Sequence, residues 1–300
     1  MADATRGGVV VGYDGSPHSG VAVDWAAGEA SRRGTELTVL YAADYVDVLA
    51  GPVLSSRSSL TKWAGVVAEK VVREGAMRAA KTHPAVIVRT VARIGGPSRV
   101  LVDAARSASL VVVGSRGHGG LAGALLGSVA FSVASHASCP TVVVRDDGTT
   151  AAGLDHPVVV GIDGSPASLA ALTYAAKAAV LAAAPLTVVT AWHAAASDGW
   201  ADAYWSTIDP ATPLGQAAHE AAAQIAHAAV AAVHDSQPGV AVDSRLVEGR
   251  PAKVLADASR EAGLLVVGAR GRDGFSGLRL GSVSYGAIHG ATCPVVVVHG

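Results

Sequence analysis

Residues 111–129 read VVVGSRGHGGLAGALLGSV, and residues 265–283 read LVVGARGRDGFSGLRLGSV. In both, an apolar run ends in a glycine (Gly114, Gly268) and a second glycine follows three positions on (Gly117, Gly271). A Gly-Ser pair (Gly127-Ser128, Gly281-Ser282) closes the stretch ten positions later. The apolar run has the composition of a buried parallel strand. The glycines suit a loop whose backbone bends sharply and approaches a ligand. Each Gly-Ser pair precedes a helical pattern, so the loop ends at a helix N-terminus, where free N–H groups and the helix dipole favour an anion. A phosphate-bearing ligand is the first expectation, and the duplicated spacing argues against chance.

The chain of 300 residues is long enough for two domains, each with its own core. Half of it is apolar, mostly Ala, Val and Leu, with few aromatics, as in close-packed α/β proteins. Disorder is excluded by this composition. A net charge of −1 gives no global attraction to nucleic acid or to an anionic membrane. The opening MADATRGG lacks a basic start followed by an apolar run. The longest apolar run, 178–192, is short for a membrane span and contains Pro185, so it reads as a helix end plus a strand. A cytoplasmic protein is expected. The only cysteines, Cys139 and Cys293, occupy matched places before a final Val-rich run. They read as small buried core residues rather than a disulfide.

Going along the first half, strands are expected over 8–13, 35–42, 85–92, 110–113 and 141–145. Helices are expected from the Ser16-Pro17 cap to about Arg33, over 60–82, from Pro97-Ser98 to about Ser107, and over 128–137. The polar segment 146–156 reads as a linker, which places the domains at 1–146 and 155–300. The order then restarts with VVVGIDGSP at 158–166. Matched positions lie 149 apart at the front (Gly12 and Gly161) and 154 apart at the back (Gly114 and Gly268). An insertion of five follows, seated in the loop 194–213 that carries Trp200, Tyr204 and Trp205.

Alternating strands and helices imply right-handed crossovers and a parallel sheet covered on both faces. Five strands wind most simply as 3-2-1-4-5, with the chain reversing its direction of travel between the first and fourth strands. Ligands bind at the carboxyl ends of strands at such a switch point. Asp14 follows the first strand and Gly114 ends the fourth, so two loops converge there. Gly114, Gly117 and Gly127 would turn backbone N–H groups onto phosphate oxygens, with the Ser128 hydroxyl beside them. The plainer alternative makes the glycines turns and Ser128 an N-cap. Asp14 and Asp163 could accept from a base or a ribose hydroxyl, or cap a helix in an Asp-Gly turn. Arg116 and Arg270 could pair with phosphate or remain solvated. No P-loop lysine motif, no G-x-G-x-x-G after the first strand, no metal-ligand spacing and no Ser-His-Asp or G-x-S-x-G signal is present.

The pattern G-x2-G-x9-G-[ST], present at Gly114, Gly117, Gly127-Ser128 and again at Gly268, Gly271, Gly281-Ser282, resembles the ATP-binding branch of the universal stress protein domain. The openings VVVGYDGSP and VVVGIDGSP are similar to that family's first strand, and ASCPTVVV and ATCPVVVV to its last. This resemblance covers nearly the whole chain and implies two tandem Rossmann-like domains of the adenine nucleotide alpha hydrolase type. It further implies an ATP-retaining regulator of stress adaptation or growth, with at most slow hydrolysis and no catalytic residue. Asp14 and Asp163 would contact the adenine side, and Ala42 and Ala191 would line a base pocket roomier than the family's usual one. Gly12, Gly161, Gly114 and Gly268 would border the ribose. Val113, Arg116, Gly117, Gly127, Ser128 and Val129 would hold the phosphates of the first site. Val267, Arg270, Gly271, Gly281, Ser282 and Val283 would hold those of the second. ATP usually arrives with Mg2+. Members of the family pair through their last strands, so the resemblance implies that Thr141 to Arg145 and Val295 to His299 pair within one chain, with two chains forming a larger assembly, a homodimer of tandem chains. Two rival readings remain: an ATP-consuming transferase or adenylating enzyme using Asp14, Asp163 or Asp273, and an interaction module whose pockets serve only assembly.

Overall fold

The computed structural model describes residues 7–43, 57–117, 126–145, 151–193, 213–271 and 279–300; for 57–64 and 213–214 it describes the backbone alone. Most of the loop after the second strand, Asp273, the insertion loop with Trp200, Tyr204 and Trp205, and 146–150 of the linker lie outside the described residues. The chain divides into two units, Met1–Thr149 and Thr150–Gly300.

In the first unit the elements run β1 (Val9–Gly12), α1 (Pro17–Arg33), β2 (Leu37–Ala43), α2 (Arg57–Thr82), β3 (Val88–Ile94), α3 (Pro97–Ala104), β4 (Leu110–Gly114), α4 (Ser128–His136) and β5 (Thr141–Val144). In the second they run β6 (Val158–Gly161), α5 (Pro166–Ala182), β7 (Leu186–Trp192), α6 (Pro213–Ser236), β8 (Val242–Glu248), α7 (Pro251–Ala258), β9 (Leu264–Gly268), α8 (Ser282–Gly290) and β10 (Val295–Val298). The strand order is β3-β2-β1-β4-β5 in the first unit and β8-β7-β6-β9-β10 in the second, the expected 3-2-1-4-5 in both. Neighbouring strands within each unit are parallel, with Val9 opposite both Leu37 and Leu110, and Val158 opposite both Leu186 and Leu264.

Valine runs make the central strands because both faces of a parallel sheet are covered. Val9, Val10, Val11, Val111 and Val112 are fully buried, as are Leu37 and Leu110. Helix α1 packs beside α2, and α3 beside α4, as right-handed crossovers on either side of the switch point require. The outer strand β3 has one covered face at most, and its residues are mostly exposed.

Local signals explain the element ends. Ser16 accepts from the Ser19 N–H at the start of α1, Pro17 takes the first helical position, and Gly34 ends the helix in the left-handed region at φ 61°. Helix α5 repeats the start with Ser165 and Pro166 but ends on Ala183 at φ 49°, which among the described residues is the one non-glycine with positive φ. Strand β3 begins at Val88 rather than Ala85, because the Val86 N–H closes a turn onto the His83 carbonyl at 3.1 Å. Helix α3 stops at Ala104 rather than Ser107. The Arg106 and Ser107 N–H groups reach back only three residues, to Asp103 and Ala104, and tighten the last turn. Cys139 and Cys293 are free and buried, as their matched positions led one to expect.

Candidate functional site

The site is built where β1 and β4 end. After Gly12 the chain leaves the sheet as Tyr13-Asp14-Gly15-Ser16, and Asp14 folds back on the helix it introduces. Its Oδ1 accepts from the Ser16 N–H at 3.0 Å and from the Ser16 hydroxyl at 2.6 Å. The Asp14 N–H is donated to the Ser19 hydroxyl at 3.3 Å, and that hydroxyl donates to the Ser16 carbonyl at 3.0 Å. Both serines are buried. In the second unit the Asp163 Oδ1 accepts from the Ser165 N–H at 2.9 Å, and Ser168 repeats the contacts of Ser19. The carboxylate is thus held half-buried at the strand end in both units. Ser19 and Ser168 were missed from sequence, although the repeated spacing DGSPHS and DGSPAS carried the signal.

The other wall is the loop after β4. A methyl on Gly117 would lie 2.5 Å from Asp14 Oδ2, and one on Gly271 2.6 Å from Asp163 Oδ2. Only a residue without Cβ lets the loop pass so close to the carboxylate. A methyl on Gly114 would lie 2.9 Å from the His18 carbonyl, so this glycine lets the first turn of α1 sit on the end of β4. Gly268 does the same for Ala167. Gly12 and Gly161, expected at the ribose, are packed from one side by Leu101 of α3 and Leu255 of α7. Those leucines also went unread, because nothing local links them to the strand ends.

The far ends of the loops return at Gly127 and Gly281. The Gly127 N–H is donated to the Ser115 carbonyl at 2.7 Å and the Gly281 N–H to the Ala269 carbonyl at 2.8 Å, so these two groups close the loops. Donors to an anion are left to the next residues. Ser128 and Val129 begin α4 over an N-cap, Gly127, with no side-chain cap, and their N–H groups have no intrahelical acceptor. Ser282 and Val283 stand likewise at α8 behind Gly281. Ser128 and Ser282 are exposed, whereas Val113 and Val267 are buried in the strands below. Arg116 is half-buried and Arg270 exposed; among the described residues neither guanidinium has an ion-pair partner.

At the other end, Ala42 of β2 is buried and Ala191 of β7 half-buried, each one position before its strand ends. The Tyr13 ring packs where a side chain at Gly75 would stand, 2.8 Å from Cδ1. Burial, and then the Glu74 carboxylate, raise its phenol above the usual tyrosine range. In the second unit Ile162 and Ala229 replace this Tyr-Gly pair, a divergence that only the duplication reveals.

A parallel 3-2-1-4-5 sheet with an aspartate and a glycine loop meeting at its switch point defines a doubly wound α/β protein. The model of the family described as "Universal stress protein family" matches residues 6–145 and again 156–299, and the chain belongs to that family. A universal stress protein of Mycolicibacterium smegmatis is 36% identical over 304 residues, covering 99% of each chain. One of Mycobacterium tuberculosis is 35% identical over 300 residues, covering 97% of this chain and 95% of the relative. The crystal structure of a universal stress protein from Archaeoglobus fulgidus, 20% identical, superposes with a TM-score of 0.68 over 97% of this chain and 98% of its own, a likeness of fold.

Among the described residues, no helix is long and apolar enough to cross a membrane, and no group of three or more His, Cys, Asp or Glu is placed to hold a metal ion.

Proposed function

We propose that this chain binds ATP at two sites, one per unit, and holds it as a cytoplasmic regulator of stress adaptation or growth, working as a homodimer of tandem chains. One observation carries the reading: at the switch point of both units, a Cβ on the loop glycine would run into the aspartate at the end of the first strand. This spacing leaves room for backbone there but not for a side chain, as a ligand cradle demands. Beside it the uncapped N-termini of α4 and α8 offer the Ser128-Val129 and Ser282-Val283 N–H groups to phosphate oxygens. Arg116 and Arg270 add a positive charge to each. Asp14 and Asp163 set a carboxylate at the strand end, where a ribose hydroxyl or base donor would lie, and Ala42 and Ala191 leave space for the base. Any Mg2+ would arrive on the nucleotide's own phosphates.

Retention rather than turnover is supported by the use of the two carboxylates. Oδ1 of Asp14 and of Asp163 is engaged in holding the following serine, which ties it to structure rather than to proton transfer. The test is to incubate the protein with labelled ATP and follow bound nucleotide and released phosphate together. Binding that saturates with phosphate release below one turnover per site supports the reading. Sustained multiple turnover with a fixed acceptor would replace it with the transferase reading.

A further inference from the structure

Duplication supplies an internal comparison of the two phosphate loops, and they differ in how they are held. In the second unit Ser284, the third residue of α8, is buried, and its hydroxyl donates to the Gly268 carbonyl at 2.6 Å, with the Ala269 carbonyl 3.2 Å away. These two carbonyls are the point where the loop leaves β9. The capping serine leans the same way, its hydroxyl 3.4 Å from the Arg270 carbonyl. Three successive carbonyls of the departing loop therefore face a hydroxyl of a helix N-terminus.

The first unit lacks this arrangement. The residue three positions after its closing glycine is Ala130, also buried, and a methyl cannot donate. Ser16 directs its hydroxyl to the Asp14 carboxylate instead. Among the described residues, no side-chain hydroxyl reaches the matching carbonyls of Gly114, Ser115 or Arg116. Both loops keep the closing bond from Gly127 or Gly281. Both also begin from a backbone bond, the Ser115 N–H to the Val144 carbonyl and the Ala269 N–H to the Val298 carbonyl, each at 2.7 Å. Only the second adds a side-chain hydroxyl at that start.

We infer that the two nucleotide sites of one chain are unequal, and that Ser284 is a positioning residue that makes the second the slow-exchanging one. The inference rests on the reading of both loops as nucleotide sites. The added hydroxyl tie lowers the cost of ordering the Gly268 to Arg270 backbone when phosphate binds, so the gain falls mainly on the dissociation rate. Ser284 does not touch the nucleotide; it acts through the Gly268 to Arg270 backbone.

The experiment loads the full chain with a fluorescent adenine nucleotide and displaces it with excess ATP in a stopped-flow instrument. Two phases of equal amplitude are expected. Gly117→Val removes the fast phase and so assigns it to the first site. Ser284→Ala accelerates the slow phase about tenfold, the effect of losing one buried hydrogen bond, and leaves the fast phase in place. Ser284→Thr keeps the hydroxyl and restores the slow phase. Ala130→Ser, which adds the hydroxyl to the first unit, slows the fast phase and keeps the inference testable should Ser284→Ala fold poorly. Two nucleotides leaving in a single phase, or both phases unmoved by Ser284→Ala, would overturn the inequality while leaving two sites standing. No uptake of nucleotide would overturn the reading beneath it as well.

Discussion

Asp14 and Gly117 stand so close that a methyl added to the glycine would lie 2.5 Å from the aspartate's Oδ2, and Asp163 and Gly271 repeat the relationship at 2.6 Å. Asp14 and Gly117 lie 103 positions apart in the chain and meet because β1 and β4 are neighbours in the sheet. The carboxylate is held in place by its own helix cap, so the loop must conform to it.

Gly117→Val therefore changes the site more than the fold. Gly117 does not occupy the left-handed region, so the added side chain meets the carboxylate without backbone strain. Equilibrium dialysis should show saturating ATP falling from two per chain to one. Thermal unfolding should stay within about 1 kcal/mol of the parent.

Asp14→Ala removes the acceptor of the Ser16 N–H and hydroxyl, and should destabilise the first unit by about 1 kcal/mol while lowering nucleotide uptake there. Asp14→Asn keeps an acceptor oxygen for the Ser16 N–H and should recover most of the stability. Urea unfolding of both variants, with dialysis beside it, separates the structural role from the ligand role.

Ala183 ends α5 in a left-handed conformation that Gly34 supplies at the matched position of α1. Ala183→Gly relieves the Cβ penalty and should stabilise the second unit by about 0.5–1 kcal/mol after the extra backbone entropy of glycine. A raised unfolding midpoint by circular dichroism checks it.

The two thiols should be silent in the native protein. Burial pushes Cys139 up to about 11 and Cys293 up to about 12. A thiol reagent at pH 8 should find none in the folded chain and two in urea. The sign for stability follows. Folding favours the protonated thiols, so their contribution is intact below the ordinary thiol value of about 8.5 and declines as pH rises from there toward about 12. Rapid native labelling at pH 8 would contradict this.

Strand order, helix caps and the glycine loop were legible in the sequence because each rests on a local signal. Valine runs mark doubly covered strands, Ser-Pro marks a helix start, and the duplicated spacing joins Gly114 to Gly127-Ser128. What was not legible depends on residues brought together from afar. Nothing near Gly12 announces that Leu101 will pack on it, and Ser284 reads as an ordinary helix serine until Gly268 lies beneath it. The start of β3 was misplaced because Val86 and Ile87 look like strand, yet the turn at His83 takes Val86, and the exposed Ile87 meets β2 through its carbonyl, which accepts from the Leu37 N–H. Of the proposed phosphate contacts, Gly127 and Gly281 give their N–H groups to loop closure, a choice that spacing alone could not reveal.

We propose two adenine-nucleotide sites in one chain. Denaturing a known amount of the purified chain, before and after incubation with ATP, and identifying the released small molecules by mass tests it most directly. Two equivalents of adenine nucleotide per chain after loading are predicted, falling to one in Gly117→Val and in Gly271→Val. A parent chain that carries no nucleotide and acquires none on loading has no such sites.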